Sequence, residues 1–268
     1  MSEINKLIEI ATKEIGYLEK KTNKNLDSKT LNAGSNNYTK YARDLDSIKN
    51  FYNGKKQGFA WCDVFVDWCF VQAFGVDRAK TLLLQPNKSL GAGCKYSMQY
   101  YKDNKQFHTS PKKGDQIFFK NDKGTITHTG IVYDEDSTYV YTIEGNTSSG
   151  NDVVISNGGC VRKKKYKLKN TSIAGYGRPK YKVVEKKEPE VVEAKSRNKK
   201  YALGKTYKTE CALNLRYGPN TKYDIVCTMP KDTKVKWYGY YTDNWKLVKV
   251  TSGTYKGKTG YCSQNYLK

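Results

Sequence analysis

Residues 58–75 read Gly-Phe-Ala-Trp-Cys-Asp-Val-Phe-Val-Asp-Trp-Cys-Phe-Val-Gln-Ala-Phe-Gly. Cys62, Phe65, Val66, Cys69, Phe70 and Ala73 recur at helical spacing, and Gly75 closes the run. A helix this apolar belongs in a protein interior. Toward the N-terminus, Ile4, Leu7, Ile8, Ala11, Ile15 and Leu18 also keep helical spacing, with Ser2 placed to cap them. A third helix is expected over about residues 89–101. Beyond Pro111 the pattern changes. Residues 116–119, 126–133, 138–144, 153–156 and 173–176 are short β-type runs between turn residues. Helices first and then an antiparallel sheet predict an α+β domain.

The composition bounds what that domain can be. Of 268 residues, 37% are hydrophobic and 13% aromatic, enough to build a core. No run of about 18 apolar residues exists, so no membrane-spanning helix is expected. Glu3, Glu9 and Glu14 interrupt the N-terminal apolar pattern, which does not read as a secretory signal. The net charge of +22 points to a polyanionic partner: nucleic acid, an anionic envelope polymer or an acidic membrane face. Residues 183–200 hold ten charges and neither glycine nor aromatic residues, and read as an extended, solvated linker. They separate a large domain (1–182) from a small one (201–268), and the positive excess is spread over both. In the small domain Leu213 and Leu215, then Ile225, Cys227 and Met229, alternate between frequent turn signals, which predicts a small β-barrel. Arg162 and Lys163, Lys164 and Lys165 form a basic run that fits either a nucleic-acid patch or a solvated strand face.

The residues able to carry chemistry are few. Seven scattered cysteines without a CxxC pair argue for reduced thiols, and two histidines give little basis for a structural zinc site. Cys62 falls in the first turn of the apolar helix. Free amides there stabilise a thiolate and can receive an oxyanion, although a buried core cysteine would fit the same position. His128 shares a strand face with Gly130 and Val132. The small neighbour leaves room for a substrate or another side chain, and the alternative is a satisfied sheet histidine. If Tyr133 pairs with Tyr139 across a hairpin, His128 faces Glu144, and Asn146 follows on the same side. Glu144 could equally be a solvated strand end. Taken together, a helix-start cysteine, a strand histidine and a facing acid resemble the papain-like nucleophile–base–orienter set.

Residues 58–70 resemble the nucleophile helix of the CHAP family (cysteine, histidine-dependent amidohydrolases/peptidases). Gly114-Asp115-Gln116-Ile117-Phe118-Phe119, Thr127-His128-Thr129-Gly130-Ile131-Val132 and Ile143-Glu144-Gly145-Asn146 resemble its later motifs, in order. The resemblance covers roughly residues 1–182 and implies a papain-like fold, related to that of NlpC/P60 proteins. It implies Cys62 as nucleophile, His128 as base, Glu144 as orienting acid and Asn146 as an active-site hydrogen-bonding residue. An acid at Glu144 favours CHAP over NlpC/P60, whose third member is usually histidine. Some family members bind calcium. Asp44 and Asp46 are the nearby acidic pair, but their setting matches poorly and no cofactor is expected. Ala212-Leu213-Asn214-Leu215-Arg216-Tyr217-Gly218-Pro219, with Lys258-Thr259-Gly260-Tyr261 and Tyr266-Leu267, resembles bacterial SH3 modules. Such modules are implied to bind cell wall, and Tyr217, Tyr223, Tyr238, Tyr240 and Tyr241 could stack on sugar or peptide.

The combined expectation is an endolysin-type peptidoglycan hydrolase, an amidase or an endopeptidase. It would bind Gram-positive wall through both domains, without nucleic acid. It would be made in a host cytoplasm without a signal peptide and act on the wall after release. The competing expectation is a non-catalytic cationic binding protein for wall polymer or nucleic acid.

Overall fold

A computed structural model describes residues 2–86, 92–148, 154, 157–182, 204–242 and 244–268. The chain divides into two compact units, Met1–Val183 and Val184–Lys268. The linker residues 183–200 and most of the run expected over 153–156 lie outside the described residues.

Unit 1 carries helices α1 (Glu3–Lys13), α2 (Lys40–Asp46), α3 (Cys62–Phe74), α4 (Val76–Leu82) and α5 (Cys94–Asp103). Its strands are β1 (Phe107–His108), β2 (Gln116–Lys120), β3 (Ile126–Glu135), β4 (Tyr139–Thr147), β5 (Cys160–Lys167) and β6 (Ile173–Gly177). All pair antiparallel in the order β1-β6-β2-β3-β4-β5. The α+β architecture is as the residue pattern predicts.

Ser2 caps α1, its Oγ accepting from Asn5 N–H at 3.2 Å. The helix stops at Lys13, earlier than the spacing of Ile15 and Leu18 suggests. Gly16 turns the chain at φ +88°, and the following segment pairs with the start of β5 through Gly16 N–H to Val161 O and the Leu18–Cys160 bridge. Sheet pairing thus outcompetes another helical turn.

Helix α3 is buried continuously from Cys62 to Phe70 and packs on β3 and β4. Its aromatic surroundings supply the core: Tyr41 lies 5.5 Å from Trp61, 5.2 Å from Phe65 and 5.0 Å from Trp68, ring centre to ring centre. Gly75 forms the corner from α3 into α4 at φ +77°, ψ 167°, a conformation that excludes most side chains. The described part of the third expected helix begins at Cys94.

The β3–β4 register differs from the expected one. Val132 pairs with Thr142 and Ile131 with Ile143, so Glu144 continues opposite Gly130 rather than His128. A tight turn and an irregularity at Tyr133 cause the offset. Asp136 Oδ1 accepts from Thr138 N–H and Tyr139 N–H, both at 2.7 Å, and the register shifts between Val132 and Asp134. The offset is two residues, so His128 and Glu144 keep the same face. The basic run of residues 162–165 lies in β5: Arg162 and Lys163 are exposed, whereas Lys164 turns inward, 2% exposed.

Unit 2 holds β7 (Thr206–Lys208), β8 (Leu213–Arg216), β9 (Ile225–Met229), β10 (Lys234–Thr242), β11 (Trp245–Val250) and β12 (Thr259–Ser263), in the order β7-β10-β11-β12-β8-β9. Alternate residues Leu213, Leu215, Cys227, Met229, Val248 and Val250 fill its core. The last residue pairs back onto β7, Lys208 N–H to Lys268 O at 2.8 Å.

Candidate active site

Cys62 is the first residue of α3. Trp61 before it supplies no side-chain cap, so the amides of the first turn are not closed off by a capping oxygen. Two contacts hold this helix start in place. Trp61 Nε1–H donates to Glu19 Oε2 at 2.9 Å, and Gly145 of β4 lets Trp61 and Phe65 approach so closely that a Cβ there would lie 2.6 Å from Phe65.

Asp63, adjacent to Cys62, ties the start of α3 to two other elements, the beginning of α5 and β2. Its Oδ2 accepts from Gly93 N–H and Ser97 Oγ–H, both at 2.9 Å, and its Oδ1 accepts from Gln116 Nε2–H at 3.2 Å. Gln116 also donates to Thr129 Oγ1, the neighbour of His128 on β3. Burial pushes the Asp63 carboxyl above its usual range against the pull of these three donors. The network brings the first residue of α5, Cys94, to the first residue of α3.

The neighbouring Cys94 thiol, followed by burial, raises the Cys62 pKa well above the ordinary thiol value, and the Asp63 backbone N–H opposes the rise. The acidified thiol expected at a helix start is therefore not what this environment produces. One amide acts on the sulfur, but a buried thiol partner outweighs it.

His128 and Glu144 form a buried pair, each 0% exposed, with His128 Nε2 3.0 Å from Glu144 Oε2. Tyr166 O–H donates to the same oxygen at 3.2 Å, and Thr142 Oγ–H donates to Oε1 at 2.5 Å. An ionised carboxylate only accepts, so it takes the proton on Nε2 and leaves Nδ1 as the acceptor of the ring. Gly130 makes this pairing fit: a Cβ there would stand 2.5 Å from Glu144 Cγ. The room beside the imidazole thus holds a side chain of the protein itself. The Phe119 ring packs 5.8 Å from His128.

Alternation along β3 sends Thr129 and Ile131 toward the α3 layer, and His128 to the side shared with Phe119 and Tyr166. His128 Nδ1 is buried and has no hydrogen-bond partner, so the thiol and the imidazole are not bonded to each other in this arrangement. Asn146 sits at a β4–β5 irregularity with φ +56°, where its Oδ1 accepts from Gly159 N–H at 3.3 Å.

Asp44 and Asp46 are already engaged. Asp44 accepts from Trp68 Nε1–H at 2.8 Å and pairs with Arg43, and Asp46 accepts from the backbone N–H of Lys56 and Gln57. Among the described residues no group of three or more histidine, cysteine or acidic side chains could hold a metal, and no helix is long and apolar enough to cross a membrane.

Sequence reading missed Cys94, Thr142 and Tyr166, which lie far from Cys62 or among ordinary strand residues. Asp63 carried a signal, since a carboxylate inside an apolar helix requires buried donors. In unit 2 the arginine of the Asn-Leu-Arg motif holds the loop after β8, Arg216 Nη1 donating to Thr221 O and Tyr223 O. Tyr223 is exposed, Tyr217 and Tyr238 are half-buried, and the side chains of Tyr240 and Tyr241 lie outside the described residues.

Comparison with solved structures finds the crystal structure of Ly7917, 14% identical, with 97% of this chain and 92% of that chain covered and a TM-score of 0.39. The crystal structure of Ly7917 with the hydrolyzing product of MDP matches over the same spans at 14% identity and a TM-score of 0.38. No curated protein matches the sequence. The CHAP domain family matches residues 54–146, and the bacterial SH3 domain family matches residues 212–268. The chain carries a CHAP domain followed by a C-terminal bacterial SH3 domain, the domain pair of a peptidoglycan hydrolase.

Proposed function

We propose that the protein is a cysteine-dependent amidase or endopeptidase of the endolysin type, which cuts an amide bond of Gram-positive peptidoglycan while its SH3 domain holds it to the wall. The observation that carries this reading is the buried Glu144–His128 pair with Nδ1 left as an acceptor. A buried imidazole oriented by a carboxylate suits the base of an acyl-transfer site, and the match of residues 54–146 to the CHAP domain family supports Cys62 as the nucleophile.

In this reading a rearrangement of β3 carries His128 from the face it shares with Phe119 and Tyr166 to the α3 face, where the Cys62 thiol passes its proton to Nδ1 as sulfur adds to the amide carbonyl carbon. Amides of the first turn of α3 receive the oxyanion. The imidazolium, held by Glu144, then protonates the leaving nitrogen and the C–N bond breaks. Water adds to the thioester carbon, giving one proton to Nδ1. Collapse of that intermediate expels the Cys62 sulfur, which regains the proton, and releases the carboxylic acid. Asn146 would act through its amide nitrogen near the imidazole, its oxygen holding Gly159 N–H.

Cys62→Ala tests the reading. Clearing of Gram-positive cells should fall by about 10³-fold or more while sedimentation with purified walls is retained. Full clearing by the variant overturns the nucleophile assignment. Mass spectrometry of the fragments identifies the bond cut. One observation favours the second reading, a cationic wall-binding protein: His128 Nδ1 has no hydrogen-bond partner, so the Cys62 thiol is not bonded to it. Wall binding by wild type with no released fragments would establish it.

A further inference from the structure

Away from Cys62 and His128, the end of α5, the turn before β2 and the segment after β6 enclose a cavity of about 480 Å³. Lys105, Lys112, Lys113 and Lys180 line it together with His108 and Arg178. All four lysines are exposed, and among the described residues none forms an ion pair. The acidic side chain in the lining is Asp115, which is already committed. Its two oxygens receive Arg178 Nε–H at 3.0 Å and Nη2–H at 2.8 Å, and Oδ2 also takes Lys112 N–H at 2.7 Å. Glu135 lies near enough to Lys113 for the two charges to attract each other.

This leaves a concavity whose cations outnumber its anions, and low-dielectric walls concentrate such a field. Its chemistry separates phosphate from carboxylate. The guanidinium fork that would grip a carboxylate with two bonds is taken by Asp115, and the remaining cations are ammonium groups, point charges suited to phosphate. A second observation is polar and uncharged. Gln106 lines the same cavity, is 5% exposed, and its buried Oε1 has no hydrogen-bond partner. Such an acceptor suits a hydroxyl group carried beside the phosphate.

We propose that this cavity is a subsite of the catalytic unit for an anionic polyol-phosphate polymer of the cell wall, with phosphodiester groups held by Lys105, Lys112, Lys113 and Lys180 and an adjacent hydroxyl by Gln106 Oε1. The inference rests on the reading that the protein acts on the wall. It adds a second point of attachment, on the unit that carries Cys62.

The test uses the full chain and purified Gram-positive walls, either intact or stripped of phosphodiester polymer by acid. Wild type is compared with K105Q/K112Q/K113Q/K180Q and with a control, K24Q/K55Q/K123Q/K167Q, which removes the same charge from exposed lysines elsewhere on the unit. The cavity variant should lose about tenfold in affinity for intact walls and little for stripped walls, the control less than about twofold. Equal losses in the two variants, or no loss in either, overturn the proposal. Competition identifies the ligand. Displacement by isolated polyol-phosphate polymer at lower phosphate concentration than inorganic phosphate or duplex DNA supports it. Inorganic phosphate working as well as polymer makes this a small-anion site, DNA working best makes it a nucleic-acid site, and either result overturns the assignment. Retention is read without turnover, so failure of the Cys62 reading appears separately, as clearing activity that survives Cys62→Ala.

Discussion

Gly130→Ala places one methyl group where the geometry of the site leaves no room. The new Cβ would lie 2.5 Å from Glu144 Cγ and 3.1 Å from Ile143 O. An ordinary carbon–carbon contact is about 3.5–4.0 Å, so the carboxylate side chain must retreat by about 1 Å or more. The bond from His128 Nε2 to Glu144 Oε2, now 3.0 Å, then opens to about 4 Å and ceases to be a hydrogen bond. Overpacking costs about 1–3 kcal/mol, and loss of a buried bond to a charged group about 1.5–3 kcal/mol, which gives a total of about 2.5–6 kcal/mol. For the reaction, a displacement of about 1 Å in the orienting group corresponds to a loss on the order of 10²-fold. Denaturant unfolding monitored by tryptophan fluorescence reads the first quantity, and clearing of a cell suspension the second. A Gly130→Ala protein with wild-type stability and wild-type clearing would refute the packing of Glu144 over Gly130 and the role built on it.

Cys94→Ala removes the largest influence raising the Cys62 pKa, so the thiol should titrate at lower pH and alkylation at neutral pH should quicken, as followed by mass spectrometry of the labelled peptide. Unchanged or slower labelling would count against the thiol pair. Asp67 is raised well above the usual carboxyl range by burial and then by the charge of Asp63. A raised folded-state value contributes stability that is present below the ordinary value of 3.8 and lost as pH rises through the raised one. Asp67→Asn should therefore raise the melting temperature at pH 8 relative to wild type. The gain should vanish near pH 4, since each tenfold weakening of the acid on folding is worth about 1.4 kcal/mol only where the unfolded chain is ionised. A variant less stable at pH 8 would refute this sign.

Much of the candidate site was legible because it depends on local rules. The helix start at Cys62 follows from apolar spacing closed by Gly75, and the shared face of His128 and Glu144 follows from the two-residue period of a strand, which survives any even slip in register. The family motifs added the order of these residues and the SH3 module after them. The register itself was not legible, since the irregularity at Tyr133 answers to a turn in which Asp136 binds two backbone amides.

The partner of the thiol arises from long-range packing. Cys94 meets Cys62 because Asp63 binds Gly93 and Ser97 from across the core, a relation between segments some thirty residues apart. So too does the inward turn of Lys164 within a run that reads as solvated charge. The order of amino acids sets which side chains each element offers, since period and termini are properties of neighbouring residues. The packed chain settles which of them touch, because the protonation of Cys62 and the free acceptor of His128 are set by atoms that arrive from other elements.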